Sequence, residues 1–199
     1  MRSRAAASIL EGAGFEHAMN MAGGIRAWKG FVAEGVPEAG TAYFPEGADV
    51  VELTGLAWKL EDGSRRYYDG LVKQVDDPEA LKVLGSLAAA EDHHKATLEE
   101  FGNRVAPGKK IQLTVDAWRE SAGEYMEGGM RVQEALDWSR SRRLPELLEM
   151  AISLESNAYD LYLKMAGRIE GEGRELFLTL CEEEKQHLER LTDLLEQKF

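Results

Sequence analysis

The chain has a single cysteine, Cys181, in 199 residues. That excludes an intramolecular disulfide and any Cys-x-x-Cys metal knuckle. No apolar run approaches the length of a membrane span, and the N-terminus lacks the apolar core of a signal peptide. A soluble protein of the reducing cytoplasm is the expectation. Positive charge is also short: 24 basic residues face 36 acidic ones, for a net charge of −12. Nucleic acid and anionic membranes are poor partners for such a surface. What remains is 44% hydrophobic and 30% charged. That composition supports one core of ordinary size, with room for a small appendage.

Composition shifts near residue 40. Residues 1–40 are rich in glycine and read as a short helix, a Gly14-Phe15 turn, a short strand and a second helix opened by Gly23-Gly24. Residues 41–49, with Pro45 and Gly47, read as a linker. After residue 50 the apolar spacing is helical almost throughout. A first bundle helix is expected over 50–75, stopped by Asp76-Asp77-Pro78, and a second over 79–101, ended by Gly102-Asn103. A long connection follows, expected to be helical over about 114–142 around Gly123 and Gly128-Gly129. A third helix opens near Pro145 and runs to Gly171/Gly173, and a fourth runs from 174 to the C-terminus. The predicted fold class is mainly α. Two antiparallel helix hairpins joined by a long, partly helical crossover make a four-helix bundle over residues 50–199.

Two Glu-x-x-His pairs stand out, Glu91/His94 and Glu184/His187. Each follows a lone glutamate, Glu61 or Glu155, by about one helix out and one helix back. The halves also repeat each other: Ala57, Leu60, Glu61 and Tyr68 correspond to Ala151, Leu154, Glu155 and Tyr162. A pseudo-twofold axis through the bundle is therefore expected. All four glutamates fall on the apolar stripe of their helices, where a solvated acid does not belong. Burying four ionised carboxylates without compensation costs on the order of several kcal/mol each. Two divalent cations would neutralise them, and two neutral imidazoles would complete the shells. Oxygen-rich ligation with imidazole favours iron or manganese, with zinc as a substitute.

Spacing also chooses among neighbours. Residues i and i+3 share a face, so His94 rather than His93 joins Glu91. Only Glu184 of the Glu182–Glu183–Glu184 run stands three before His187. Glu182 and Glu183 are expected to be solvated or to sit behind the ligands. Tyr68 and Tyr162 lie two turns from Glu61 and Glu155 on the same face. They could hydrogen-bond a ligand carboxylate, relay electrons, or simply fill core. Cys181, one turn before Glu184, reads as a small buried hydrophobe more than as a ligand or thiol relay. Trp58, Trp118 and Trp138 read as packing or interface residues.

With these residues in place, the region 50–199 resembles the rubrerythrin branch of the ferritin-like di-iron carboxylate proteins. The resemblance implies metal ligands at Glu61, Glu91, His94, Glu155, Glu184 and His187. It implies two iron ions, reduction of H2O2 or O2 of peroxidase or ferroxidase type, and a homodimer. Two departures matter. The family carries a further ligand glutamate three residues after the third-helix glutamate, where this chain has Ala158. It also carries a four-cysteine rubredoxin domain, which one cysteine cannot build, so electrons would come from an external donor.

Residues 2–37 resemble the closing third of a rhodanese domain, on Arg2-Ser3, Ala6-Ala7, Leu10, Gly14-Phe15, Gly23-Gly24, Trp28, Gly35 and Pro37. The catalytic cysteine of that family would fall before Met1, so sulfurtransferase activity is not expected of these residues. The leading expectation is a di-iron oxidoreductase. A non-catalytic metal-binding or structural bundle coupled to a sulfurtransferase partner is the alternative.

Overall fold

A computed structural model describes residues 48–105 and 124–198. The expected rhodanese-like fragment, its linker up to residue 47 and Trp118 lie outside the described residues. Five helices and one two-stranded ribbon make up the rest: α1 (Val50–Val72), α2 (Pro78–Val105), β1 (Tyr125–Met126), β2 (Met130–Arg131), α3 (Val132–Ser139), α4 (Leu144–Ala166) and α5 (Glu172–Lys198). Helices α1, α2, α4 and α5 are the four bundle helices. The fold is the ferritin-like four-helix bundle expected, with α1 packed along α2 and α4 along α5. No described helix is long and apolar enough to cross a membrane.

The helix ends follow local chemistry. The Asp49 side chain accepts hydrogen bonds from the Val51 and Glu52 amides, and Glu52 accepts from the Asp49 amide. This capping box satisfies donors that the first turn leaves over and contributes about 1 kcal/mol. Asp77 does the same for α2, accepting from the Glu79 and Ala80 amides beside Pro78. Lys198 then pairs with Asp77 at 3.0 Å and Glu79 at 2.6 Å, tying the end of α5 to the start of α2. The core between the helices is leucine-rich. Leu84, Leu87, Leu98, Leu148 and Leu191 are fully buried, as is Phe177, which stacks on Tyr162.

Several expected boundaries move. Helix α1 ends three residues earlier than expected and α4 ends at Ala166, whereas α2 continues through Gly102 to Val105. A buried face on Phe101 and Gly102 outweighs the modest helix penalty of one glycine. The larger correction concerns the crossover, which is not helical over 124–131. Tyr125 pairs with Arg131 and Met126 with Met130 in an antiparallel ribbon. Gly128 and Gly129 turn it with φ of 83° and 75°, a backbone region that costs other residues but not glycine. Among the described residues of the crossover, Val132–Ser139 is the helical stretch, and the expected helical portion 114–123 lies outside the described residues.

Candidate metal centre

All six residues singled out by spacing meet in the middle of the bundle, and each is buried to 4% exposure or less. Helix α1 brings Glu61, α2 brings Glu91 and His94, α4 brings Glu155, and α5 brings Glu184 and His187. His94 Nδ1 lies 3.3 Å from Glu61, 3.4 Å from Glu91 and 3.2 Å from Glu184. His187 Nδ1 lies 3.0 Å from Glu155 and 3.1 Å from Glu184. The two imidazoles stack at 5.5 Å between centroids. His93 faces out, as its spacing required.

The ligand atoms fall into two overlapping groups that could each hold a cation. One is Glu61, Glu91, His94 and Glu184; the other is Glu91, Glu155 and His187. Glu91 belongs to both, and Glu184 reaches both histidines. Two groups sharing a carboxylate match a pair of adjacent ions. A further observation fits the same need. Glu184 Oε1 is buried without a directed hydrogen bond, although His94 stands 3.2 Å away. A buried acceptor left in that state normally costs free energy. A divalent cation would give it a partner.

The electrostatics show what the protein does with the same groups on their own. Burial pushes the Glu61 carboxyl well above its ordinary range, and the neighbouring Glu91 adds to the shift. Burial raises Glu155 likewise, helped by Glu184. Burial opposes a charge on His187, but hydrogen bonds to Glu155 and Glu184 outweigh it and lift the imidazole to about 10. His94 is raised too, because Glu61 and Glu184 overcome its burial. For Glu184 burial works against ionisation, yet His94 and His187 hold it below the usual carboxylate range. Pairing of the two imidazoles with Glu184, and of His187 with Glu155, thus offsets part of the negative charge that the helices bring together.

Both tyrosines act across the pseudo-twofold. Tyr68 on α1 donates its hydroxyl to Glu155 on α4, and Tyr162 on α4 donates to Glu61 on α1. Of the three roles open to them, the carboxylate hydrogen bond is realised. Removing one hydroxyl strands a buried acceptor. Tyr162→Phe should therefore cost about 1–3 kcal/mol, read as a lower thermal midpoint. An unchanged midpoint would show Glu61 indifferent to its partner. Cys181 is buried, its thiol pushed up to about 12 mainly by that burial. Its Sγ contacts the Tyr159 carbonyl at 3.6 Å, as a packing residue would.

Two further acids reach the centre: Glu183, in one of the two places expected of it, behind the ligands, and Glu127, which spacing did not single out. Glu183 approaches the far ring nitrogen of His94, Nε2, at 2.9 Å while still a third exposed. A carboxylate on the outer nitrogen orients an imidazole and raises its basicity as a ligand. Glu127, in the ribbon turn, is buried and accepts a hydrogen bond from Ser64. Burial and the nearby Glu91 raise its carboxyl to about 8. Its only sequence signal was a charged residue directly before a double glycine.

Residues 146–199 match the Rubrerythrin family model. The match covers all but the first two residues of α4 and the described length of α5, and hence Glu155, Glu184 and His187. Among curated proteins, none matches the chain. A solved structure of a hypothetical protein from Pyrococcus furiosus is similar in fold, with a TM-score of 0.57 and 23% identity. The similarity covers 74% of this chain and 89% of that one.

Proposed function

We propose that the bundle is a di-iron carboxylate oxidoreductase that reduces H2O2 or O2 with electrons from an external donor. The observation that carries this reading is the pair of ligand groups sharing Glu91 in a closed helical core. The Rubrerythrin match over residues 146–199 supports it independently. Glu61, Glu91, His94 and Glu184 would hold one ion, and Glu91, Glu155 and His187 the other. Iron bound there would supply one electron per ion, and H2O2 needs two electrons and two protons to give two waters. The chain's own residues prepare that chemistry. The leucine-rich core keeps bulk water away, Tyr68 and Tyr162 fix the carboxylates on α4 and α1, and Glu183 steadies His94. A homodimer in the cytoplasm and a separate protein or small reductant as electron source complete the proposal.

The second reading is a bundle that binds metal without turnover. Ala158 favours it, since it sits in the core where the resembled family places a further ligand glutamate. Rapid mixing of Fe(II)-loaded protein with H2O2 and with O2 separates the two. Fast oxidation by peroxide is expected, with slower oxidation by oxygen. Equal slow rates with both oxidants, no faster than free Fe(II), would leave only the non-catalytic bundle.

A further inference from the structure

Among the described residues, Glu127 is a buried acid near the centre that neither helix spacing nor the proposed ligand set uses, and unlike Asp62 it has no cationic side chain paired with it. It is 2% exposed, and its Oε1 has no hydrogen-bond partner. The other oxygen is held by the Ser64 hydroxyl, one turn along α1 from Glu61. The turn that carries Glu127 is fixed. Met126 beside it is fully buried, and the Gly129 amide closes the loop onto the Met126 carbonyl at 3.0 Å. The ribbon is seated on α1 at Gly63, where any Cβ would run into the Tyr125 backbone. Glu91 and Glu184 are close enough to disfavour a charge on Glu127. A fifth buried carboxyl among like charges, with one oxygen unpartnered, is costly unless a cation accounts for it.

Resting on the di-metal reading above, we propose that Glu127 is a fifth carboxylate of the centre, delivered by the crossover ribbon, and that its unpartnered oxygen takes up the cation held by Glu91. Its oxygens lie outside the two ligand groups that already meet, so it joins by side-chain rotation while Ser64 and the ribbon stay in place. This supplies from another element an acid that α4, with Ala158, does not provide.

Glu127→Gln tests it, because glutamine keeps the volume and the Ser64 contact but offers no anionic oxygen. The full chain is titrated with Co(II) against a competing chelator, and the visible absorption of bound Co(II) reports its coordination. Wild type is expected to bind two ions. Glu127→Gln should weaken one of them about ten- to a hundred-fold and intensify the Co(II) bands as a ligand is lost. Glu124→Gln, an exposed acid in the same segment, controls for net charge and should change neither. Circular dichroism confirms that each variant keeps its helices. Two ions bound by Glu127→Gln with wild-type affinity and spectrum would overturn the proposal while leaving the di-metal reading intact. No Co(II) uptake by wild type would instead remove both.

Discussion

Glu91→Gln should remove most of the stability that the protein gains from divalent metal. The effect follows from Glu91 belonging to both ligand groups. A ligand that binds only the folded state at a hundred times its Kd adds about 2.7 kcal/mol per site. Two ions then add about 5 kcal/mol, or about 10–20 °C in the midpoint of a domain of this size. Without the shared carboxylate neither ion keeps its full shell, so most of that shift should vanish. Thermal scans with and without Mn(II) or Fe(II) read the loss. Glu61→Gln and Glu155→Gln each touch one group only, and each should lose about half the metal-dependent gain. Equal losses for all three variants would mean that Glu91 does not bridge.

Why Glu91 could be picked from the sequence, and Glu127 could not, is a matter of periodicity. On a helix, an i, i+3 pair and an apolar stripe fix which way a side chain points before any tertiary contact is known. Glu61, Glu91, His94, Glu155, Glu184 and His187 all sit on long regular helices, so their convergence was legible. Tyr68 and Tyr162 were legible as positions but not as partners. Their hydroxyls cross from one hairpin to the other, and that reciprocity depends on how the hairpins dock. The same limit applies to Glu183, whose contact with His94 spans α5 and α2.

The crossover departs from its expected helix for a related reason. Two residues of strand on each side of a turn are too short for alternation to register against a helical background. Gly128 and Gly129 gave the correct signal in the wrong frame. By spacing alone they read as interruptions of a helix, whereas their positive φ values make a reversal of the chain. What decides the ribbon's existence is the surface it lands on, and that surface is created by Gly63.

Gly63→Ala should therefore destabilise the protein, against the local rule that alanine improves a helix. In an exposed helix interior the exchange would gain about 1 kcal/mol. Here the new methyl would overlap the Tyr125 carbonyl oxygen and stand 2.6 Å from its carbonyl carbon and 3.0 Å from Met126 Cα. These are backbone atoms, so no rotamer change relieves the clash. Overpacking of this kind costs about 1–3 kcal/mol, and a ribbon that lifts away also loses the burial of Met126, about 1.5–3 kcal/mol. The net loss is about 2–4 kcal/mol, seen as a midpoint lower by about 5–15 °C. Hydrogen exchange locates the damage: amides in 124–131 should exchange faster, while those of α4 and α5, which pack mainly on each other, keep their protection relative to global unfolding. Loss of the ribbon also carries Glu127 away from Ser64, so metal affinity should fall in Gly63→Ala as is expected for Glu127→Gln. A raised midpoint with unchanged exchange would mean that α1 accepts the methyl and that the ribbon is not held by close approach to the helix.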